Sequence, residues 1–343
     1  MKTALTPMDF ARRTRSLYAD REAVVDGDLR MSYTRFFDRC DRWSNALQKL
    51  GIKPGDRVVY IAPNTHSQLE SFYSIPQIGA IIVPVNYRLS ADDFIYIINH
   101  CGAKMVCVAS DYLEVVENAR EAMPDVEHFV ALENVNTIQS PQQAWLDYNE
   151  ALKNARPTFT PPDIDENDLI SINYTSGTTG RPKGVMISHR NAYMNIVGTL
   201  LHFDITASDR YLWTVPMFHA NGWTFVWTIT ARGGTHLCLP QAKPEAIFHA
   251  IKQEQVTLFC AAPTVLISMA NAPQNLRRDI PRGLRVITAG SPPAAITIER
   301  IEEELGWELT QVYGMTETSP FITVCEQRPE HDQLSANDRA TIK

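Results

Sequence analysis

Residues 57–108, RVVYIAPNTHSQLESFYSIPQIGAIIVPVNYRLSADDFIYIINHCGAKMVCV, alternate short apolar runs with stretches of helical period. The periodicity predicts strands at 57–62, 80–85 and 105–108 and helices at 67–79 and 91–99. Strand and helix taking turns predicts a parallel sheet with helices on its faces, because parallel neighbours must be joined by a crossover. Upstream, Phe36, Phe37, Cys40, Trp43, Leu47 and Leu50 share one face of a helix over 33–50 that Gly51 stops. Downstream, PTFTPPDIDEND (157–168) combines three prolines with acidic and amide side chains and predicts a surface linker between two lobes. The alternation then resumes, with strands near 169–174, 211–215, 235–239, 258–261 and 284–288. The fold class is therefore α/β, with a first lobe over 1–160 and a second over 161–330.

The chain has 343 residues and a formal net charge of −7, which argues against gripping nucleic acid or an anionic membrane through a basic surface. Hydrophobic residues at 44% and charged residues at 21% exclude a disordered or fibrous chain. Six cysteines (Cys40, Cys101, Cys107, Cys238, Cys260, Cys325) lack CxxC or Cys/His clustering and predict reduced thiols in a cytoplasmic protein, without structural zinc. No apolar run approaches the roughly 20 residues that span a bilayer, so no transmembrane segment is expected. Arg12, Arg13 and Arg15 make the start mildly basic, but Asp9 and Asp20 lie on either side and no apolar signal core follows, so the start reads as a mature N-terminus, with organelle import as the alternative.

The stretch TSGTTGRPKG (175–184) concentrates glycines, hydroxyls and two cations between two apolar runs. Glycines let backbone N–H groups turn toward a ligand, hydroxyls add short donors, and Arg181 and Lys183 supply charge, so the composition suits a polyphosphate. Pro182 stands where a Walker A loop needs its second glycine, and a strand-like run, 185–187, follows before a helix capped by Ser188. A plain polar hairpin is the bland reading of such a loop.

This decapeptide resembles the phosphate-binding signature of the adenylate-forming superfamily, which includes acyl-CoA synthetases, luciferases and the adenylation domains of peptide synthetases. Three further blocks follow in the family's order: VPMFHANGW (215–223), TAGSPP (288–293) and QVYGMTET (311–318). The resemblance covers the second lobe most specifically and implies two stacked β-sheet lobes flanked by helices. It also implies a truncated β-barrel subdomain beginning at 331–343, with the family's mobile C-terminal domain absent.

The resemblance further implies an AMP-forming acid:CoA ligase, a fatty acyl-CoA synthetase by type, using ATP, Mg²⁺ and coenzyme A, and, with the C-terminal domain absent, nucleotide or adenylate binding with weak or absent full turnover. By carry-over, Thr175 and Glu317 hold Mg²⁺, and Ser176, Gly177, Thr178, Thr179, Gly180 and Lys183 cradle the phosphates. Thr316 contacts the α-phosphate, Ala220 lies near the nucleotide, and Tyr313 lies on adenine with Gly290, Ser291, Gln311, Val312 and Gly314 around it. Lys183, His219, Thr316 and Glu317 form the catalytic group, and His219 and Trp223 border the acid. His219 stands where peptide-synthetase relatives place an aspartate for an amino group, and Trp223 matches a tunnel-gating tryptophan, so an apolar carboxylic acid is the expected substrate. A homodimer is compatible with the resemblance. A non-catalytic nucleotide-binding module and an aryl-acid:CoA ligase or luciferase-like enzyme are the alternatives, and plain core packing is the alternative for Trp223.

Overall fold

A computed structural model describes residues 3–133, 144–175 and 180–342. Among them the strands, in chain order, are β1 (Glu22–Asp26), β2 (Leu29–Ser32), β3 (Arg57–Ile61), β4 (Ile81–Val85), β5 (Ala103–Val108), β6 (His128–Ala131), β7 (Leu146–Asp147) and β8 (Leu169–Thr175). They continue with β9 (Lys183–Ser188), β10 (Arg210–Leu212), β11 (Thr235–Leu237), β12 (Leu258–Ala261), β13 (Arg285–Thr288), β14 (Glu308–Gly314) and β15 (Phe321–Val324). One sheet runs β7-β6-β5-β3-β4-β8-β9 and the other β15-β14-β13-β12-β10-β11-β1-β2. Antiparallel pairing is confined to the edges, at β8–β9, β14–β15 and β1–β2.

The expected α/β architecture of two helix-flanked sheets is what forms. The central strands β3, β4 and β5 are almost wholly buried, as parallel strands covered on both faces must be. Helix Tyr33–Lys49 starts at Ser32, whose side chain accepts from the Arg35 N–H, and buries Phe36, Phe37, Cys40, Trp43 and Leu47. Gly51 follows with φ 85°, which glycine adopts without strain. The strands, however, do not sort by lobe. The N-terminal β1 and β2 complete the eight-stranded sheet, and β8 and β9, which follow the 157–168 stretch, complete the seven-stranded one. That stretch therefore separates two runs of sequence without separating two sheets. Among the described residues no barrel closes. Where the β-rich subdomain was expected to begin, the chain forms a short 3-10 turn, Pro329–Gln333, and the helix Ala336–Ile342. Ser335 favours that helix by accepting from the Asp338 N–H, and Ala340 is buried.

Two short helices are sandwiched at the centre. Every residue of His66–Ser74 but the first is buried, as is every residue of Phe225–Arg232 but the last. Trp227 Nε1 donates to the Phe72 carbonyl at 3.0 Å and Tyr73 OH donates to Thr230 Oγ1 at 2.7 Å, so each helix satisfies polar groups of the other. Glu70, with no exposed surface, is held by the Arg39 guanidinium at 2.6 and 3.3 Å and by the Tyr148 hydroxyl. A buried carboxylate of this kind persists because its partners replace the water it has lost.

Candidate active site

The parallel strands of both sheets point their C-terminal ends at one cleft of about 1180 Å³. Residues just beyond β3 (Pro63), β4 (Arg88), β5 (Tyr112), β10 (Thr214), β12 (Thr264) and β13 (Gly290) line it. Ligands of open parallel sheets bind outside the carboxyl ends of the strands, where loops diverge and leave a crevice. Here two sheets share one crevice, so residues distant in sequence meet.

Thr175 ends β8 and Lys183 begins β9, and the two are register partners across the hairpin, with both facing the cleft. The stretch read as phosphate-binding thus begins and ends on paired antiparallel strands. Of its members, Ser176, Gly177, Thr178 and Thr179 lie outside the described residues. Gly180 is exposed with φ 149°. Arg181 does not line the cleft: its guanidinium stands over the Tyr96 ring, 5.2 Å from the centroid.

The second block enters the cleft from the end of β10. The Asn64 side chain donates to the Trp213 and Val215 carbonyls at 3.0 Å each and accepts from the Met217 N–H at 2.8 Å, fixing the path of the chain. His219, Ala220 and Trp223 line the cleft. His219 opens onto it, yet the protein around the ring disfavours the imidazolium and lowers its pKa. The backbone then makes a turn of left-handed helix: φ is 39° at Ala220, 48° at Asn221, 54° at Gly222, 55° at Trp223 and 72° at Thr224. Four of the five carry side chains, and each such residue costs roughly 1–2 kcal/mol in this conformation.

The fourth block comes from β14. Gly314, Thr316 and Glu317 line the cleft, with Glu317 exposed on the turn Thr316–Thr318. A Cβ at Gly314 would stand 2.0 Å from the Pro320 carbonyl oxygen, so the close return of β15 demands glycine. The neighbours are distributed by strand alternation. Val312 is 3% exposed and packs in the core, whereas Tyr313 is 55% exposed and stands outside the cleft lining. Gln311 and Ser291 also lie outside the lining, and the buried Gln311 Oε1 has no partner. Gly290, with φ 101°, lines the cleft directly.

Sequence reasoning missed Arg88, Tyr112, Lys243 and Phe321, which also line the cleft. None belongs to a dense motif, and only the convergence of strand ends reveals them. Phe321 also lines a second cavity of about 320 Å³ against helix His189–His202, and its ring meets Trp223 at 6.1 Å. Phe321 thus stands as a partition between the two spaces, with the Trp223 ring against it on the cleft side.

Among the described residues no group of three or more His, Cys, Asp or Glu stands together. A divalent ion in this cleft would have the Glu317 carboxylate, the Thr175 hydroxyl, ligand phosphates and water. That all-oxygen set suits Mg²⁺, which keeps several waters and takes few protein ligands.

Residues 11–340 match the family model described as AMP-binding enzyme. A peroxisomal trans-cinnamate:CoA ligase of Petunia hybrida is 35% identical, the match covering 99% of this chain and 62% of that protein. A 4-hydroxybutyrate–CoA ligase of Metallosphaera sedula is 34% identical over the same two shares. The crystal structure of the inhibitor-bound N-terminal domain of FACL13 from Mycobacterium tuberculosis superposes with a TM-score of 0.82 at 27% identity, covering 92% of this chain and 77% of that one. The chain spans 62% of the length of these two ligases.

Proposed function

The chain belongs to the AMP-binding enzyme family, and on that premise we propose that it activates a carboxylic acid with ATP and passes the acyl group to coenzyme A. The observation that carries the reading is the convergence of four separated blocks on one cleft: Thr175 and Lys183, His219 and Trp223, Gly290, and Thr316 with Glu317. In the first step a carboxylate oxygen attacks the α-phosphorus, the bond to the bridging oxygen breaks, and pyrophosphate leaves. In the second the CoA sulfur attacks the acyl carbon, AMP leaves, and the thiol proton passes to solvent.

The chain's own residues bind and orient more than they react. Lys183 neutralises the polyphosphate beside the Thr175 hydroxyl, and Thr316 donates to the α-phosphate. Ser176, Gly177, Thr178, Thr179 and Gly180 supply further donors by their type, and Tyr313 and Gln311 stay assigned to the nucleotide by resemblance alone. Glu317 and Thr175 would hold Mg²⁺, which when bound would counter phosphate charge. His219, uncharged near neutral pH, borders the acid and offers a hydrogen bond. Arg88 and Lys243 give the cleft two further cations, suited to an anionic thiol co-substrate.

The acid is apolar in this reading. Val215, Trp223 and Phe321 face its end of the cleft, and Met194, Phe203 and Ile322 line the space behind the partition. Among the described residues no helix is long and apolar enough to cross a membrane. With all six cysteines free, we assign the enzyme to the cytoplasm, and localisation of the tagged chain tests this against the peroxisomal address of the petunia relative.

The test is acid-dependent exchange of labelled pyrophosphate into ATP across short, medium, long and aromatic acids, with Lys183→Ala and Glu317→Ala alongside. Exchange that needs one acid class and fails in both variants supports the reading and names the acid. Nucleotide binding without any acid dependence would instead make the chain a binding module.

A further inference from the structure

The left-handed turn 220–224 is the most strained backbone beside the cleft, and it is held from three sides. Asn221, 1% exposed, donates from Nδ2 to Ser171 Oγ on β8 at 2.6 Å, which ties the turn to the other sheet. Thr224, 2% exposed and β-branched at φ 72°, hydrogen-bonds through Oγ1 to Asn195 Oδ1 on helix His189–His202 at 2.6 Å. At Gly222 a Cβ would stand 2.5 Å from the Trp213 ring, so that ring is the floor of the turn. Trp213 is itself fixed, since its Nε1 donates to His236 Nδ1 at 3.2 Å and the two rings are nearly parallel.

A β-branched residue at positive φ is an outlier that persists only where its surroundings over-determine it. The hydrogen bonds here are of that kind. Without the left-handed twist, a right-handed turn from His219 would send residues 220 and 223 along a different path. Asn195 acts twice, because its Nδ2 also donates to the Phe321 carbonyl at 3.3 Å. One side chain thus ties the turn that carries Trp223 to the strand that carries Phe321, the partition ring that Trp223 packs against.

We propose that residues 220–224 are a strained positioning element for the acid, and that Asn221 with Ser171 and Thr224 with Asn195 clamp it so that His219 and Trp223 meet the bound acyl group. Asn221 and Asn195 are then positioning residues that touch no substrate. The inference rests on the acid-activating reading above and adds to it where acid recognition is fixed.

The test is titration calorimetry on the 343-residue chain with two ligands: AMP, and the sulfamoyl-adenosine analogue of whichever acid the exchange panel selects. Asn221→Ala, Ser171→Ala, their double variant and Asn195→Ala are compared with the unaltered chain, each checked for its melting temperature. Affinity for the acyl analogue is expected to fall about tenfold or more in each variant, and by at least about fivefold more than affinity for AMP, which meets only Ala220 of the turn. The double variant should be no weaker than Asn221→Ala alone, because both changes remove one hydrogen bond. Equal losses for AMP and the analogue would make the turn a merely structural element and overturn the proposal, as would unchanged affinity for both. If Asn221→Ala does not fold, Asn195→Ala decides on the same two ligands. An unaltered chain that binds AMP but gains nothing from the acyl arm overturns the acid-activating reading and this inference with it.

Discussion

Single side chains decide how the cleft meets charge. Lys183 and Glu317 bring opposite charge to the cleft from neighbouring elements, one on the hairpin and one on the turn after β14. A hydrogen bond to a charged group is worth about 1.5–3 kcal/mol, so Lys183→Ala should weaken ATP binding in the presence of Mg²⁺ by roughly 10- to 100-fold, read by calorimetry. Glu317→Ala should weaken it by a similar factor with Mg²⁺ but leave it unchanged or slightly tighter with metal-free ATP, because the carboxylate then only repels phosphate. His219 gives a second expectation. Its surroundings disfavour the charged ring, so its NMR titration midpoint should fall below 6.5. The ring is then neutral at pH 7, and acid binding should hold steady as pH rises from 7 to 8. These residues were legible because each sits in a dense motif of unusual composition. Arg88, Lys243 and Phe321 were not, since single residues after ordinary strands carry no local signal. The left-handed path through Ala220–Thr224 was equally hidden, because only Asn221 and Gly222 in that run favour positive φ.

Strands and helices were legible where the period was strong, and the floor of the eight-stranded sheet illustrates what local pattern omits. Asp209, just before β10, accepts from Thr257 Oγ1 at 2.6 Å, from the Thr206 N–H at 2.7 Å and from Arg285 at the start of β13. It thereby joins the N-terminal ends of three parallel strands, at the end remote from the cleft. Burial alone would raise its pKa, but these hydrogen bonds and the guanidinium charge outweigh burial and lower it. A carboxylate with a depressed folded pKa contributes stability above its ordinary value of 3.8, and that contribution is lost as pH falls through the lowered value. Asp209→Asn should therefore destabilise the chain by about 1–3 kcal/mol at pH 7 by denaturant titration. The difference from the parent should shrink below pH 4. A difference that stayed constant down to pH 2 would assign the effect to packing instead of charge. Nothing in the sequence near Asp209 announces this, because Thr257 and Arg285 are brought to it by the sheet.

At the scale of the molecule, the proline-rich 157–168 stretch reads as a boundary, and the sheets cross it in both directions. Helix Pro7–Leu17 lies against helix Phe225–Arg232, with Thr14 Oγ1 donating to the Thr230 carbonyl at 2.7 Å and Arg13 donating to the Ala231 carbonyl at 2.9 Å. Tyr33 OH donates to the Gly234 carbonyl at 2.6 Å, so helix Pro7–Leu17, β1, β2 and the start of helix Tyr33–Lys49 are built into or against the second half. Conversely β4 pairs with β8, and a piece ending at residue 160 would leave the β4 edge and the faces of β1 and helix His66–Ser74 open to water. The central core cluster contains Phe36, Phe72, Trp213 and Trp227 together, drawn from both sides of the stretch. Opening it would expose large aromatic side chains at once, so the two sides of the stretch are expected to unfold together. Scanning calorimetry should give one peak with matching calorimetric and van't Hoff enthalpies. Trp227→Ala should lower stability by about 3–5 kcal/mol and keep the peak single, since both halves lean on that ring. Engineered cleavage within 157–168 should yield two fragments that co-elute under native conditions and separate only in denaturant. Two resolved calorimetric peaks, or a 1–160 fragment that folds alone, would mean that the boundary legible in the sequence is also a boundary of stability, with the shared core contributing little.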